Sequence, residues 1–193
     1  MSARPAWSRR FTRLRCALAA VCCTMVAVPA VIAPAAEEGA TAAESGLSHN
    51  AAAIHQEVPF QASCRDIYAA LTNSQRFDAL TRLSDAVTLL TAPNAKATTI
   101  SPELGGAFTL FGGYITGRNL VMIRDVRLVQ AWRAGGWSTG EFSIVSFDLH
   151  PQGAGCRVIF DHRGFPDSQG ASLAYGWRVH YWEPLAKLLS QAR

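Results

Sequence analysis

The pattern of apolar and polar positions begins with a short strand and two helices. Residues 54–60 alternate between apolar and polar side chains well enough to predict a first strand. Ser63 and Asp66 then form a capping box, which predicts a helix that begins at this point. Asn73 can cap a second short helix that extends to about residue 81.

From Ala86 the period becomes that of strands, and glycines interrupt it. The predicted strands are the runs at about 88–91, 106–111, 113–116, 127–133, 140–150 and 155–163. Glycine adopts positive φ without steric cost, so the glycine-rich breaks between these runs predict the turns of successive antiparallel hairpins. Residues 141–149 carry apolar side chains on both faces, which predicts a sheet that is covered on both sides or curves around another element.

The last predicted element is a helix over residues 172–191. Large apolar side chains recur there at three- and four-residue steps, namely Leu173, Trp177, Tyr181, Leu185 and Leu188. Pro184 lacks an amide hydrogen and crowds the carbonyl of His180, so it should kink the helix. Together these elements predict an α+β fold in which a curved sheet grips a long C-terminal helix and leaves a cavity between them.

Composition excludes global disorder and shows where the positive charge lies. The 193 residues are 49% hydrophobic and 17% charged, which suits one folded domain preceded by a leader. The net charge is +4, but five basic residues and no acid precede residue 16, whereas the rest holds 13 basic and 14 acidic residues. A nucleic-acid-binding domain would carry its positive charge on the folded part, so no nucleic-acid partner is expected.

Residues 1–35 are predicted to be a secretory signal peptide. An Arg-rich tip precedes a run of 21 residues at 16–36 that is apolar apart from Thr24 and two prolines, and Ala33 to Ala35 offers an A-x-A cleavage site. An uncleaved anchor is the alternative, because such a run could just span a bilayer. We expect a periplasmic or secreted protein, with anchoring in the inner membrane through an uncleaved leader as the alternative and no other membrane contact.

Residues 36–53 show no periodicity and predict a flexible linker to one domain over residues 54–193. Three of the five cysteines lie in the leader, so only Cys64 and Cys156 would remain after cleavage. In an oxidising compartment these two could pair, and two free core thiols are the alternative. A metal site is not expected, because neither cysteine has a second Cys or His at ligand spacing.

Seven short motifs follow one another in order along the predicted strands and the last helix. They are GGAF at 105–108, GYITG at 113–117, VQAWR at 129–133, Trp137 with Gly140, GCRV at 155–158, GFP at 164–166, and GW at 176–177 with YW at 181–182. Together they resemble the domain of the activators of the ninety-kilodalton heat-shock-protein ATPase, within the START-like (SRPBCC) superfamily. The resemblance extends over about residues 54–189.

The resemblance implies the helix-grip fold, a curved antiparallel sheet wrapped around a long C-terminal helix, with two short helices after the first strand. It also implies that the first strand lies antiparallel to the last, which would bring Cys64 to Cys156. We therefore expect a Cys64–Cys156 disulfide, worth roughly 4–5 kcal/mol on the loop-entropy estimate. Members of the superfamily bind lipids, hormones or polyketides, catalyse cyclisation or hydrolysis, or assist a chaperone, so the fold alone does not specify a function.

Aromatic residues from the strands and the last helix predict either a plain core or the lining of an apolar cavity. They are Phe108, Tyr114, Trp132, Phe142, Trp177 and Tyr181. Arg133 could meet a ligand carboxylate, with a structural partner as the alternative. Trp137 follows two glycines and is expected at the mouth of the cavity.

Three histidines are candidates for proton transfer. His150 precedes a predicted turn and should be solvated, whereas His162 and His180 either face the cavity or are hydrogen-bonded structural residues. The sequence shows no Ser-His-Asp order, phosphate loop or HExxH motif, and no metal or cofactor is expected.

The favoured hypothesis is an exported protein that binds a small apolar or amphipathic molecule between the sheet and the last helix. A cyclase- or hydrolase-like enzyme that uses His162, His180 or Tyr181 in the cavity is one alternative. A co-chaperone-like module that binds a protein partner is the other. The sequence does not specify the oligomeric state.

Overall fold

The computed structural model describes residues 53–191 and builds them around one antiparallel sheet. Its strands are β1 (Ala53–Phe60), β2 (Thr99–Ile100), β3 (Ala107–Leu110), β4 (Ile115–Ile123), β5 (Arg127–Ala134), β6 (Ser143–Gln152) and β7 (Gly155–Arg163). They lie in the order β1-β7-β6-β5-β4-β3-β2, and every neighbouring pair is antiparallel. Because β1 pairs with β7, the predicted meeting of the first and last strands is confirmed.

Five α-helices accompany the sheet in the described residues: α1 (Cys64–Thr72), α2 (Ser74–Arg82), α3 (Val87–Leu90), α4 (Gly170–Trp177) and α5 (Glu183–Gln191). Ser63 caps α1, since its Oγ accepts a hydrogen bond from the Asp66 amide at 3.1 Å. Asn73 caps α2 in the same way, accepting from the Arg76 amide at 3.0 Å. These bonds satisfy amides that have no partner inside the helix, so both predicted caps are confirmed.

A π-helical turn, Arg178–Trp182, joins α4 to α5 in the C-terminal helix. Pro184 is the second residue of α5 and cannot donate to the carbonyl of His180, four residues earlier. The wider turn lies at the position where the sequence predicts a kink. It sets the positions of His180 and Tyr181 on the inner side of the helix.

Two strand predictions differ from the structure. Residues 87–90 form α3 rather than a strand, because a four-residue run with three apolar side chains fits either period and only its surroundings decide. β4 continues to Ile123, well past the predicted end at 116. Its polar Asn119 interrupts the apolar pattern, yet the residue is buried and its amide accepts a 2.9 Å hydrogen bond from Gln130.

The inner face of the curved sheet packs against the C-terminal helix through aromatic side chains. Trp177 is 2% exposed, and its ring centroid lies 4.3 Å from that of Phe160 and 4.1 Å from that of Tyr181. The ring of Phe147 on β6 packs edge-on against the same indole, with the two ring centroids 5.8 Å apart. The helix is therefore held by dense aromatic packing over β6 and β7.

The pairing of β1 with β7 brings the two remaining cysteines together. Phe60 lies opposite Cys156 in the register, and Cys64 begins α1 four residues later. The Cα atoms of the cysteines are 5.1 Å apart, within the range that a disulfide spans. The juxtaposition matches the expectation, and the oxidised state of the pair stays a prediction.

The predicted signal peptide lies outside the described residues, as does the predicted linker except for Ala53, which begins β1. Within residues 53–191, no helix combines the length and hydropathy needed to cross a bilayer.

Candidate functional site

A cavity of about 410 Å³ lies between the sheet and the first half of the C-terminal helix. Its lining comes from the segment around α3, the ends of β4 and β5, and the helix from α4 into the π-helical turn. The lining residues are Asp85, Ala86, Thr88, Leu89, Phe111, Tyr114, Ile115, Trp132, Ala134, Gln169, Ser172, Leu173, Gly176, Trp177, His180 and Tyr181. Both the volume and the mainly apolar walls are typical of small-molecule sites.

The cavity is polar at its mouth and apolar at its floor. Asp85, Thr88 and Ser172 are exposed where the cavity meets solvent. Phe111 and Ile115 are each 3% exposed and form part of the floor. An amphipathic molecule could therefore bury its apolar part while the rim stays hydrated.

Three polar atoms of the cavity walls are buried and lack a hydrogen-bond partner in the described part of the chain. They are Nε1 of Trp132, Nδ1 of His180 and the hydroxyl of Tyr181. Burial raises the pKa of the Tyr181 hydroxyl above its usual range, and the Trp132 side chain lowers it in part. The indole N–H is thus close to the hydroxyl, although the two form no hydrogen bond of normal geometry.

These unpartnered atoms are exceptional, because buried polar groups in proteins nearly always have a partner. Here they lie together on the wall of one cavity. A bound molecule with suitably placed polar atoms would supply the missing partners.

His162, a predicted cavity residue, belongs to the core instead. Its Nδ1 accepts a hydrogen bond from Nε1 of Trp177 at 3.0 Å, and since an indole can only donate, the proton of the neutral ring lies on Nε2. Nε2 donates to Oγ of Ser143 at 2.7 Å, which donates to the carbonyl of Trp132 at 3.0 Å. Burial lowers the pKa of His162 to about 4. Both ring nitrogens are occupied, so His162 has a structural role.

Phe142 and Arg133 also lie away from the cavity. Phe142 is 49% exposed just before β6, and it alternates with the inward-facing Ser143, which places it on the outer side. The guanidinium of Arg133 donates to the carbonyls of Trp137 and Ser138. Arg133 therefore fixes the connection between β5 and β6, which is the structural alternative considered for it.

Phe108 and Trp137 are buried aromatic residues that do not line the cavity. Phe108 lies on β3 in the core, 2% exposed. Trp137 is 5% exposed rather than at the mouth, its ring centroid lies 5.4 Å from that of Trp132, and its Nε1 donates to Oε1 of Gln169 at 2.8 Å. Because Gln169 lines the cavity, Trp137 supports the wall from behind.

Five predicted residues do line the cavity, namely Tyr114, Trp132, Trp177, His180 and Tyr181. Sequence reasoning missed the contribution of the α3 segment and of Phe111. Phe111 has a positive φ of 51° ahead of two glycines, and its ring centroid lies 5.3 Å from that of Tyr181. The sequence does offer one sign of this role, since Phe111 directly precedes two glycines. A glycine pair favours a tight turn, and such a turn directs this ring inward.

Few groups in the cavity could perform catalysis. His180 and Tyr181 are the proton-transfer candidates that line it, and Asp85, its acidic residue, is at the exposed rim. His150 is exposed, as the sequence predicts. Among residues 53–191, no group of three or more His, Cys, Asp or Glu side chains could hold a metal ion.

Comparison with known proteins finds relatives that match most of this chain. An uncharacterised protein of Schizosaccharomyces pombe is 27% identical over 151 residues, which cover 78% of this chain and 41% of the relative. A Dictyostelium discoideum protein named activator of 90 kDa heat shock protein ATPase homolog is 30% identical over 120 residues, covering 62% of this chain and 28% of the relative. The chain thus spans less than half the length of these relatives.

Solved structures share the fold. The crystal structure of an HSP90 activator from Plasmodium falciparum superposes with a TM-score of 0.60 at 17% identity, covering 72% of this chain and 96% of the other. Residues 61–190 match the model of the family described as Activator of Hsp90 ATPase homolog 1-like protein. The match covers well over half of the chain, which therefore belongs to the Activator of Hsp90 ATPase homolog 1-like family.

Proposed function

We propose that this protein binds a small apolar or amphipathic molecule in the cavity beneath its C-terminal helix. The observation that supports the proposal is a cavity of about 410 Å³ with a buried apolar floor and a solvent-exposed polar rim. The cavity opens to solvent at Asp85, Thr88 and Ser172, so the character of its walls carries more weight than its volume. Its walls are mainly apolar, and a guest would remove that apolar surface from water.

The affinity expected of such a site is modest. A guest of about 15 heavy atoms that gains about 0.4 kcal/mol per atom would bind with about 6 kcal/mol, a Kd of tens of micromolar. Apolar contact with Phe111, Ile115 and Leu173 would supply most of that free energy.

Two variants, each with one alanine of β5 replaced by phenylalanine, test the proposal. Ala134 is 5% exposed and lines the cavity, so Ala134→Phe would fill the space that a guest needs. Ala131 alternates with the inward-facing Trp132 and is half-buried on the other side, so Ala131→Phe is the matched control. The probe is N-phenyl-1-naphthylamine, a neutral apolar dye whose fluorescence rises on burial, titrated into the full-length chain.

We expect saturable dye binding by the wild type and by Ala131→Phe, and at least a tenfold weaker affinity for Ala134→Phe, the cost of about 1.4 kcal/mol. Circular dichroism confirms that each variant is folded. Equal affinity for all three proteins, or no saturable binding by the folded wild type, would rule out the cavity as the binding site.

We also propose that the protein is exported. The proposal rests on the Arg-rich tip, the apolar run at 16–36 and the juxtaposition of Cys64 with Cys156. Protein recovered from the periplasm or the medium should have the intact mass of a chain that begins at Ala36. Recovery of the full-length mass from the cytosol would contradict export, and recovery of that mass from the membrane would support the anchored alternative.

A second candidate function is binding to a heat-shock-protein ATPase. It is favoured by the names of the Dictyostelium relative and the Plasmodium structure. The proposed export argues against it, because that ATPase is cytosolic. An ATPase assay with the purified chaperone decides: stimulation by the wild type that survives Ala134→Phe would indicate a partner-binding surface separate from the cavity.

A further inference from the structure

The two buried donors in the cavity wall indicate which chemical class of ligand the site accepts. We propose that the ligand is a neutral molecule with an inward-facing carbonyl oxygen, which accepts hydrogen bonds from Nε1 of Trp132 and from the Tyr181 hydroxyl. The inference rests on the small-molecule binding proposed above and specifies the ligand for that same cavity. Ketones, quinones and lactones with an apolar body belong to this class.

The hydrogen-bonding capacity of the two side chains determines the polarity of the partner. Trp132 is 4% exposed, and its indole nitrogen can only donate, so its missing partner must be an acceptor. Tyr181 is 5% exposed, and its raised pKa keeps the hydroxyl protonated and able to donate. A carbonyl oxygen has two lone pairs and can accept from both donors at once.

The charges of the lining favour a neutral acceptor over a carboxylate. No Lys or Arg belongs to the lining within the described residues, and its acidic member, Asp85, sits at the exposed rim. The guanidinium of Arg133 is engaged by the carbonyls of Trp137 and Ser138. A carboxylate bound beside Tyr181 would be buried without a Lys or Arg partner, at a cost of several kcal/mol.

The third unpartnered atom, Nδ1 of His180, does not distinguish between ligand classes. An imidazole nitrogen can donate or accept according to the tautomer. It offers a place for a second polar group on the ligand, and the proposal does not depend on it.

Three probes that share one tricyclic apolar body and differ at carbon 9 test the inference on the full-length chain: fluorene, 9-fluorenone and fluorene-9-carboxylate. Each is titrated against the bound dye. We expect fluorenone to bind about tenfold more tightly than fluorene, since each hydrogen bond to the carbonyl adds a modest net gain. The carboxylate should bind more weakly than fluorenone.

Two conservative variants assign the preference to the two donors. Tyr181→Phe removes one oxygen and Trp132→Phe removes the indole N–H, and each should reduce the advantage of fluorenone over fluorene by about threefold or more. Tyr175→Phe is the matched control, because Tyr175 is 59% exposed and does not line the cavity. It should leave all three affinities unchanged.

The outcomes separate this inference from the function on which it rests. If fluorene and fluorenone bind equally well, small-molecule binding stands and the carbonyl preference is overturned. The carbonyl preference is also overturned if the carboxylate binds most tightly, or if Tyr181→Phe and Trp132→Phe weaken fluorene as much as fluorenone. If the dye binds and none of the probes displaces it, small-molecule binding stands and the carbonyl preference is overturned. If the dye itself does not bind, both proposals fail.

Discussion

At the scale of single residues, His162 and Tyr181 show two opposite ways in which this core accommodates a buried polar side chain. Both ring nitrogens of His162 are hydrogen-bonded, to Trp177 and to Ser143. The Tyr181 hydroxyl is also buried, and it forms no hydrogen bond of normal geometry. Since an unpaired buried polar group is destabilising, the first arrangement indicates a structural residue, and the second is the group that the proposed ligand would pair.

His162 should make the free energy of unfolding depend on pH. Its pKa is about 4 in the folded state and 6.5 when unperturbed, so between these values the unfolded chain binds a proton that the folded chain does not. Stability therefore falls as the pH drops, by about 2 kcal/mol between about pH 7 and pH 4.5. Urea unfolding of the wild type, His162→Gln and the control His150→Gln measures the effect. A His162→Gln variant with the same pH slope as the wild type would contradict it.

Tyr181→Phe should not destabilise the ligand-free protein. It removes a buried hydroxyl that has no partner, so we expect a gain of about 1 kcal/mol in the free energy of unfolding. Tyr175→Phe on the exposed part of α4 should leave stability unchanged. Denaturant midpoints measure both changes. A loss of more than about 1 kcal/mol in Tyr181→Phe would indicate that the hydroxyl has a structural partner.

At the scale of elements, the sequence predicts a helix or strand well where neighbouring residues alone determine it. The caps at Ser63 and Asn73 depend on neighbouring residues and were predictable. The pattern predicts a strand where α3 lies, because a run of four residues with three apolar side chains is too short to show a period. The far half of β4 was missed because its buried Asn119 is satisfied by Gln130 on β5, a contact that cannot be seen before the strands are paired.

The link between α1 and β7 leads to a prediction about the two cysteines. Cys64 and Cys156 are 92 residues apart in sequence with Cα atoms at 5.1 Å, so a disulfide would close a long loop. Reduction should lower the free energy of unfolding by about 4 kcal/mol on the loop-entropy estimate. The double variant Cys64→Ser/Cys156→Ser should be insensitive to reductant. In the chain that begins at Ala36, which keeps only these two of the five cysteines, alkylation of two thiols without reduction would show that the bond is absent.

Gly117 is a second element-scale constraint, where β4 passes between β3 and β5. A Cβ at this position would collide with the carbonyl oxygen of Ala131 and with the ring of Phe108. Gly117→Ala should therefore destabilise the protein by about 1–3 kcal/mol through overpacking. Gly136 has open space around it, so Gly136→Ala is the control and should change the urea midpoint little. Similar midpoints for both variants would contradict the packing described here.

At the scale of the whole molecule, the cavity depends on what is absent as much as on what is present. Ala134 and Gly176 leave space that larger residues would fill, and nothing in their sequence surroundings indicates this. The aromatic stripe of the helix was predictable, and it includes Trp177 and Tyr181. The wall from the α3 segment was not, since that segment meets the helix only in the folded chain. Trp132 lines the cavity and Phe142 lies on the outer side of the sheet. Both are aromatic, so their positions in the fold, rather than their residue types, make the difference.

The measurement that tests the central claim most directly follows the indole N–H signals of the full-length protein by NMR during titration with 9-fluorenone. We predict that the signals of Trp132 and Trp177, which line the cavity, shift with saturation. The signal of Trp182, whose Nε1 donates to Gln56 at 2.6 Å outside the cavity, should shift less than either, because this indole reaches the cavity only through its contact with Trp177. Unchanged Trp132 and Trp177 signals, or an equal shift of Trp182, would contradict a guest beneath the C-terminal helix.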